Sequence, residues 1–287
     1  MRRPFIGVVM MLLVSAPAFA ERIAEAAHAG YDCAQIDIAG AKSTSAMGIN
    51  QRGDIAGQFT DAGNVTHGFF IDHRSGEISV IDVPGSKRTT VIGINAEGDM
   101  VGRVDNASGA HGYLLSRGEF TILQFPGSTF TAAAGINARG DIIGNYNVGP
   151  TMHAYTLIDG VYSTVDVPGA SATQGFGIDD SGDLDGNYVN ALGRHGFIMN
   201  GSSLTTVDAP GARATLLRGI TRGGQLVVGT AMGSSNHGLL LQGGDLRLFD
   251  YPGAGTTTIF GVNAIGEFVG DFGDTPTATL FHGYVCR

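Results

Sequence analysis

The chain has no tryptophan, two cysteines and nine prolines, and only 15% of its 287 residues are charged. Bases are the scarcer sign, 17 Lys and Arg against 26 Asp and Glu. So few bases argue against a cationic face for phosphate, and no nucleic-acid partner is expected. Catalytic signatures are missing too: there is no Gly-x-Ser-x-Gly elbow, no His-Glu-x-x-His, no phosphate loop and no close Cys/His cluster. Asp183–Gly186 imitates the start of a calcium loop, but it falls on a repeated Gly-Asp turn and lacks the remaining ligands. Helical periodicity is absent after residue 30, and no apolar run is long enough to cross a bilayer.

What is present begins with a signal. Arg2 and Arg3 precede the apolar run Phe5–Val14, and Ala18-Phe19-Ala20 supplies a small-x-small cleavage site. Residues 1–20 therefore read as a secretory signal peptide, with the general secretory route fitting better than the twin-arginine one. Two arginines leave with it, so the formal charge of −9 becomes −11. The mature protein is expected to be secreted or periplasmic. Residues 21–30 read as a leader, and 31–287 as one folded domain. A 43% hydrophobic content excludes disorder, and 46 glycines suit many tight turns between short strands.

The domain repeats itself. Gly-Ile-Asn or a near copy starts at Gly48, Gly93, Gly135, Gly177, Gly219 and Gly261, a period of 45 and then 42 residues. Each of the six repeats offers four strand candidates, here A to D. Strand A precedes Gly-Ile-Asn, B follows Gly-Asp, C opens at His-Gly-aromatic and D ends at Asp-x-Pro-Gly. Tight C–D hairpins are expected at Arg117-Gly118, Asp159-Gly160, Gly201-Ser202 and Gly243-Gly244. A period near 42 is that of a four-stranded propeller blade. The mature chain opens with a lone strand D, Cys33–Gly40, and closes with A, B and C only. A six-bladed β-propeller closed by its own N-terminal strand accounts for that offset; an open solenoid would leave two raw edges.

The cysteines fit the same closure. Cys33 and Cys286 occupy the slots that hold Ile71/Ile78, Leu115/Phe120, Leu157/Tyr162, Met199/Leu204 and Leu241/Leu246 in the other repeats. These slots face each other across the C–D hairpin, so a Cys33–Cys286 disulfide is expected in an oxidising compartment. That pairing removes a thiol nucleophile from consideration.

Equivalent residues read as scaffold. One histidine per repeat (His67, His111, His153, His195, His237, His282) suggests a metal ring, but strand C lies about 10 Å of sheet from the channel wall. The expectation is a hydrogen bond inside each repeat, to a threonine of the set beginning Thr44 and Thr89 or to the strand-D Asp (Gln124 in one copy). No metal and no cofactor is expected.

Function is then sought where copies differ. Spacing from the strand-B glycine gives Gln58, Arg103, Asn145, Asn187 and Asp271 in one variable slot, with Gly229 in the fifth repeat and Val228 in the glycine slot itself. Loops D–A add Lys87, Arg88, Phe130 and Arg213; strand A adds Gln174 and Arg218. Asp185 stands where the spacing puts Ala56, Val101, Ile143, Val227 and Val269. The leading expectation is a monomeric binding or interaction module for an unidentified extracellular glycan, small molecule or protein. Its ligand would sit on the face carrying the D–A and B–C loops, or at the channel mouth. The alternatives are a glycan lyase or hydrolase using Asp185 or Asp271 with Arg103 or Arg218, and a structural surface protein.

Gly-Ile-Asn-x-x-Gly-Asp-Ile-x-Gly, then His-Gly/Ala-Phe/Tyr, then Asp-Val-Pro-Gly, resembles the HAF family of extracellular repeat proteins over residues 31–287; His153-Ala154-Tyr155 comes nearest to the family's name. The resemblance implies a secreted or periplasmic bacterial protein and carries over no catalytic residues.

Overall fold

A computed structural model describes residues 10–12 and 30–287. Of the expected signal peptide only β1 (Met10–Leu12) is described, in parallel pairing with Thr205–Val207; the rest of it, and residues 21–29 of the leader, lie outside the described residues. The strand that precedes the first repeat is β2 (Cys33–Ile36). The first repeat folds as β3 (Ser43–Ile49), β4 (Ile55–Thr60), β5 (Thr66–Ile71) and β6 (Ile78–Ile81). The second gives β7 (Arg88–Ile94), β8 (Met100–Asn106), β9 (Gly109–Ser116) and β10 (Glu119–Leu123). The third gives β11 (Thr131–Ile136), β12 (Ile142–Val148), β13 (Thr151–Ile158) and β14 (Val161–Val165). The fourth gives β15 (Ala172–Ile178), β16 (Leu184–Asn190), β17 (Gly193–Asn200) and β18 (Ser203–Val207). The fifth gives β19 (Ala214–Ile220), β20 (Leu226–Met232), β21 (Asn236–Gln242) and β22 (Asp245–Phe249). The sixth supplies β23 (Thr256–Val262), β24 (Phe268–Gly273) and β25 (His282–Cys286).

Within each repeat the strands pair antiparallel in chain order, and β2 adds to β25 as the fourth strand of the last. Four sheets of four strands result, together with a nine-stranded one. In the latter a single parallel pairing, Arg194 with Ala214, links the fourth and fifth repeats, and β1 lies at the edge. The fold is all-β and propeller-like, and no α-helix occurs among the described residues.

One device recurs in every strand A. The register slips by one residue immediately before Gly-Ile-Asn, between Ala46 and Gly48 and at the five equivalent places. This β-bulge pushes a strand-A carbonyl onto strand B. A Cβ on Gly102 would stand 1.9 Å from the Thr90 carbonyl oxygen, and one on Gly144 2.2 Å from that of Ala132. Hence the strand-B glycine. The fifth repeat corrects the sequence reading here: Leu217 pairs with Gly229 and Gly219 with Val228, so Gly229, not Val228, fills the glycine slot. Thr230, not Gly229, then stands where Asn187 stands in the fourth repeat, and Val228, not Val227, matches Asp185. The cause is a longer A–B turn. Thr221 closes onto Leu226, five residues on and through a 3₁₀ turn at Arg222–Gly224, whereas Asn50 closes onto Asp54.

The asparagine of Gly-Ile-Asn ties neighbouring repeats. Asn50 Oδ1 accepts the N–H groups of Arg52 and Asp54, while its Nδ2 donates to the Asn95 carbonyl at 3.1 Å. Asn95 reaches Asn137, Asn137 reaches Asp179, and Asn263 reaches back to Asn50 at 3.0 Å. Asp179 has no amide to donate, so its Oδ2 accepts the N–H of Gly223 at 2.6 Å from the lengthened turn. Sixth and first repeats also share a core in which Val269 and Val285 pack with Ala46, Ile49 and Phe69.

The scaffold polar groups divide their work. Each strand-C histidine contacts its own strand-D partner: His67–Asp82 at 2.8 Å, His153–Asp166 at 2.8 Å, His195–Asp208 and His237–Asp250 at 2.9 Å, His282–Asp37 at 2.9 Å, and His111 with Gln124. The threonines serve elsewhere than expected. Thr89, Thr173 and Thr215 accept the backbone N–H of the residue after that Asp, at 2.8–3.0 Å, and so pin the Pro-Gly turn. Cys33 and Cys286 pair in register and form the expected disulfide.

Candidate functional site

The bulge aims one residue per repeat at the central channel: Met47, Ile92, Ala134, Phe176, Arg218 and Phe260 line a waist cavity of about 90 Å³. Three are apolar and consecutive, and they give one side of the waist a hydrocarbon wall. The other side is a guanidinium between two aromatic rings. Arg218 Cζ lies 4.3 Å from the Phe176 ring centroid and 5.6 Å from that of Phe260, a cation–π contact with each. Its Nε is buried without a partner. Burial pulls Arg218 down to about 10, against the opposing charges of Asp185 and Asp271.

Both carboxylates are sunk in the walls beside it. Asp185 on β16 is fully buried, accepts the Gly177 N–H at 2.9 Å with Oδ1, and leaves Oδ2 unpartnered. Burial lifts it to about 7, although the Gly177 hydrogen bond and Arg218 pull the other way. Asp271 on β24 accepts the Ser45 hydroxyl at 2.7 Å, and burial lifts it to about 6 despite Ser45 and Arg218. Two further buried polar atoms in this half of the ring, Asn187 Nδ2 and Thr230 Oγ1, also lack partners. Arg194, which the sequence did not mark, donates to Gln174 Oε1 at 2.8 Å and Asn187 Oδ1 at 2.7 Å.

The remaining candidates separate into a groove and a scatter. Gln58, Arg88 and Arg103 share a cavity of about 200 Å³ with Thr90, Ile92 and Asp105. Arg103 is committed there: it grips Asp105 with Nε at 2.7 Å and Nη2 at 3.0 Å, and lies 5.1 Å from the Phe130 centroid. Asn145 is a tie, bonded to both N–H and C=O of Gly175. Lys87 and Arg213 are exposed and line neither cavity. The four residues proposed as an enzyme constellation therefore do not gather as one. Arg103 sits in the second repeat with its own carboxylate, while Arg218 lies within the electrostatic reach of Asp185 and Asp271.

The larger space opens on the other face from the D–A and B–C loops. About 440 Å³ is enclosed by the A–B turns, with Asn50, Asn95, Asn137, Asp179 and Thr221 around its rim. Ile49, Ile94, Ile136, Ile178, Ile220 and Val262 line both this funnel and the waist, so one leads into the other. Sequence reasoning missed Phe176 and Phe260. The signal was there, in the residue before each Gly-Ile-Asn, but only the bulge turns that residue inward.

Asp185 also supports a stability prediction. Its folded pKa is raised above the ordinary 3.8, so stability is highest at low pH and falls as pH climbs towards about 7. Asp185→Val, which restores the aliphatic residue of Val101 and Val269, is expected to gain on the order of 2 kcal/mol at pH 8 after the lost Gly177 hydrogen bond is deducted. Near pH 4 the gain should vanish. Urea titrations at both pH values check this, and a gain independent of pH would show that Asp185 is not the group responsible.

No protein-family model and no curated protein sequence matches the chain. Solved structures do match in fold. TolB from Acinetobacter baumannii has a TM-score of 0.57 at 14% identity over 72% of this chain, which spans only 54% of TolB, about half its length. A streptogramin B lyase has a TM-score of 0.53 at 15% identity, with 89% and 97% of the two chains covered. The β-propeller domain of the Trilobed protease from Pyrococcus furiosus has a TM-score of 0.54 at 13% identity, covering 83% and 79%. Likeness at these identities establishes a β-propeller fold. The neighbours' functions differ from one another.

Proposed function

We propose that the chain is a six-bladed β-propeller of the HAF type, exported beyond the cytoplasm, that binds a ligand in its central channel. The count of six is supported by six four-stranded ladders, of which the fourth and fifth touch through one parallel pairing. Export is supported by the disulfide, which persists in oxidising compartments. The binding reading is carried by one observation: Arg218 makes no hydrogen bond or ion pair with any described residue, and it stands at the foot of a funnel of about 440 Å³. An unpaired guanidinium inside a protein is costly, and a purely structural ring gives no return for it, since Met47 or Ile92 fills the same slot. A cavity of this size, apolar at its foot and polar at its rim, is a usual form of a small-molecule site.

The test is a glycan and metabolite array probed with the full chain and with Arg218→Met, the residue of the first repeat. At least one ligand should be retained by the wild type and weakened tenfold or more, roughly one lost charge-assisted contact, by the substitution. Arg218→Met should also melt higher. Hits indifferent to Arg218, or no hits, overturn the channel reading. A second reading, an enzyme acting on extracellular glycans, draws on Asp271 and Asp185, held at about 6 and about 7 beside the same cation. Release of product from polysaccharide by the wild type but not by Asp271→Asn is its test.

A further inference from the structure

We infer that the channel ligand is a small carboxylic acid with an apolar body, its carboxylate on the N–H donors of Arg218 in the waist and its body in the ring of isoleucines that leads to the funnel of the A–B turns. This rests on the channel reading above and narrows it to a chemical class. Phe176 and Phe260 pack against the guanidinium and offer it no hydrogen-bond acceptor, so its N–H donors are left to meet a ligand. A planar fork of donors matches a planar pair of oxygens, and Arg binds carboxylate in this way more firmly than neutral acceptors. The waist, about 90 Å³, admits a headgroup and no more. The wall opposite Arg218 is Met47, Ile92 and Ala134, and the passage to the funnel is ringed by five isoleucines and Val262, which offer nothing to a polar body. Phosphate is the competing oxyanion, but it carries more charge into a waist already flanked by two carboxylates. The funnel beyond is more polar, with Gln51, Asp179, Asp180 and Arg222 beside the asparagines, so an apolar body stays within the isoleucine ring.

The ionisable groups whose charges act on Arg218 are Asp185 from the fourth repeat, Asp271 from the sixth, and Arg194 from the fourth. Each aspartate that ionises competes with the ligand for the cation. Asp185 changes charge near pH 7 and Asp271 near pH 6, so affinity should weaken roughly three- to tenfold between pH 6 and pH 8.

Calorimetric titration of the full chain with benzoate, hexanoate, benzamide, hexanamide and inorganic phosphate decides the matter. Expected are binding of at least one carboxylate, binding of its amide weaker by about tenfold or more, loss with Arg218→Met, and weakening towards pH 8. Amides that bind as well as acids, phosphate that binds more tightly than either acid, or no heat from any carboxylate would overturn the assignment. Arg218→Met replaces an unpaired side chain with the residue native to the first repeat, so its folding can be confirmed by melting before binding is read. An array hit that needs Arg218 but bears no carboxylate would leave the channel reading standing and remove this one.

Discussion

Replacing Cys33 and Cys286 with alanine lowers the unfolding free energy by about 5 kcal/mol, the loop-closure value for a cross-link spanning so long a stretch. The bridge joins residues separated by 253 positions. In the first five repeats strand D follows strand C through a short turn, so its pairing is local; β2 reaches β25 from the far end of the chain. The rest of its hold is short: β2 has only four residues, with Ala34 and Gln35 exposed, paired to β25 over Cys33–Ile36 and flanked by the mutual backbone bonds of Asp32 and Arg287 at 2.9 Å and by Ile38 in the core shared with the first repeat. If β2 detaches, β25 becomes a bare edge and the His282–Asp37 contact goes with it. A double replacement with isoleucine, copying Ile71 and Ile78, restores the packing of another repeat without its turn. It should recover only a small part of the loss. Denaturant midpoints for the two variants measure this, and a loss below about 1 kcal/mol would mean that the ring closes without its clasp.

That clasp was legible because it breaks a pattern. Five apolar pairs and one cysteine pair in a single slot imply both the register and the closing strand, and the ladder Cys33–Cys286, Ala34–Val285 follows it. Hairpins were legible for the same kind of reason: Arg117 and Asp159 precede glycine in two-residue turns, and both adopt positive φ. The site was far less so. Arg218 was marked as an oddity in strand A, yet its two aromatic neighbours lie 42 residues to either side and meet it only when the strands converge on the axis. Bulges carry no periodic mark, so the inward turn of the residue before Gly-Ile-Asn could not be read from alternation. The larger space was not legible either, because variable D–A and B–C residues such as Lys87 and Arg213 drew attention away from the near-constant A–B turns that enclose it. Constancy there serves the ring of asparagine ties, and the cavity inside it is a by-product of their spacing.

Gly229→Ala is expected to cost about 3 kcal/mol or more, against about 1–2 for Val228→Ala, and the contrast tests the register of the fifth repeat. Sequence spacing puts Val228 in the strand-B glycine slot. By that count alanine at Gly229 would merely extend a variable, ligand-facing position. The bulge says otherwise: a Cβ on Gly229 would stand 2.0 Å from the Leu216 carbonyl oxygen and 2.9 Å from the Leu217 Cα. Both are backbone atoms of the strand that carries Arg218 next in line, so neither can yield without moving the channel wall. Relief would require flattening the bulge, which returns Arg218 to the ordinary alternation and swings it out from between Phe176 and Phe260. The stability loss should therefore be accompanied by loss of channel binding in whatever fraction still folds, while Val228→Ala, a smaller aliphatic in an inter-repeat core, leaves binding intact. Equal and mild effects at the two positions would place the extra residue of this repeat after strand B rather than in the turn at Arg222–Gly224. The lengthened turn and the Asp179–Gly223 contact are departures of this repeat, whereas the bulge that turns Arg218 inward is common to all six, and a single methyl group at Gly229 is enough to probe that bulge against the shifted register.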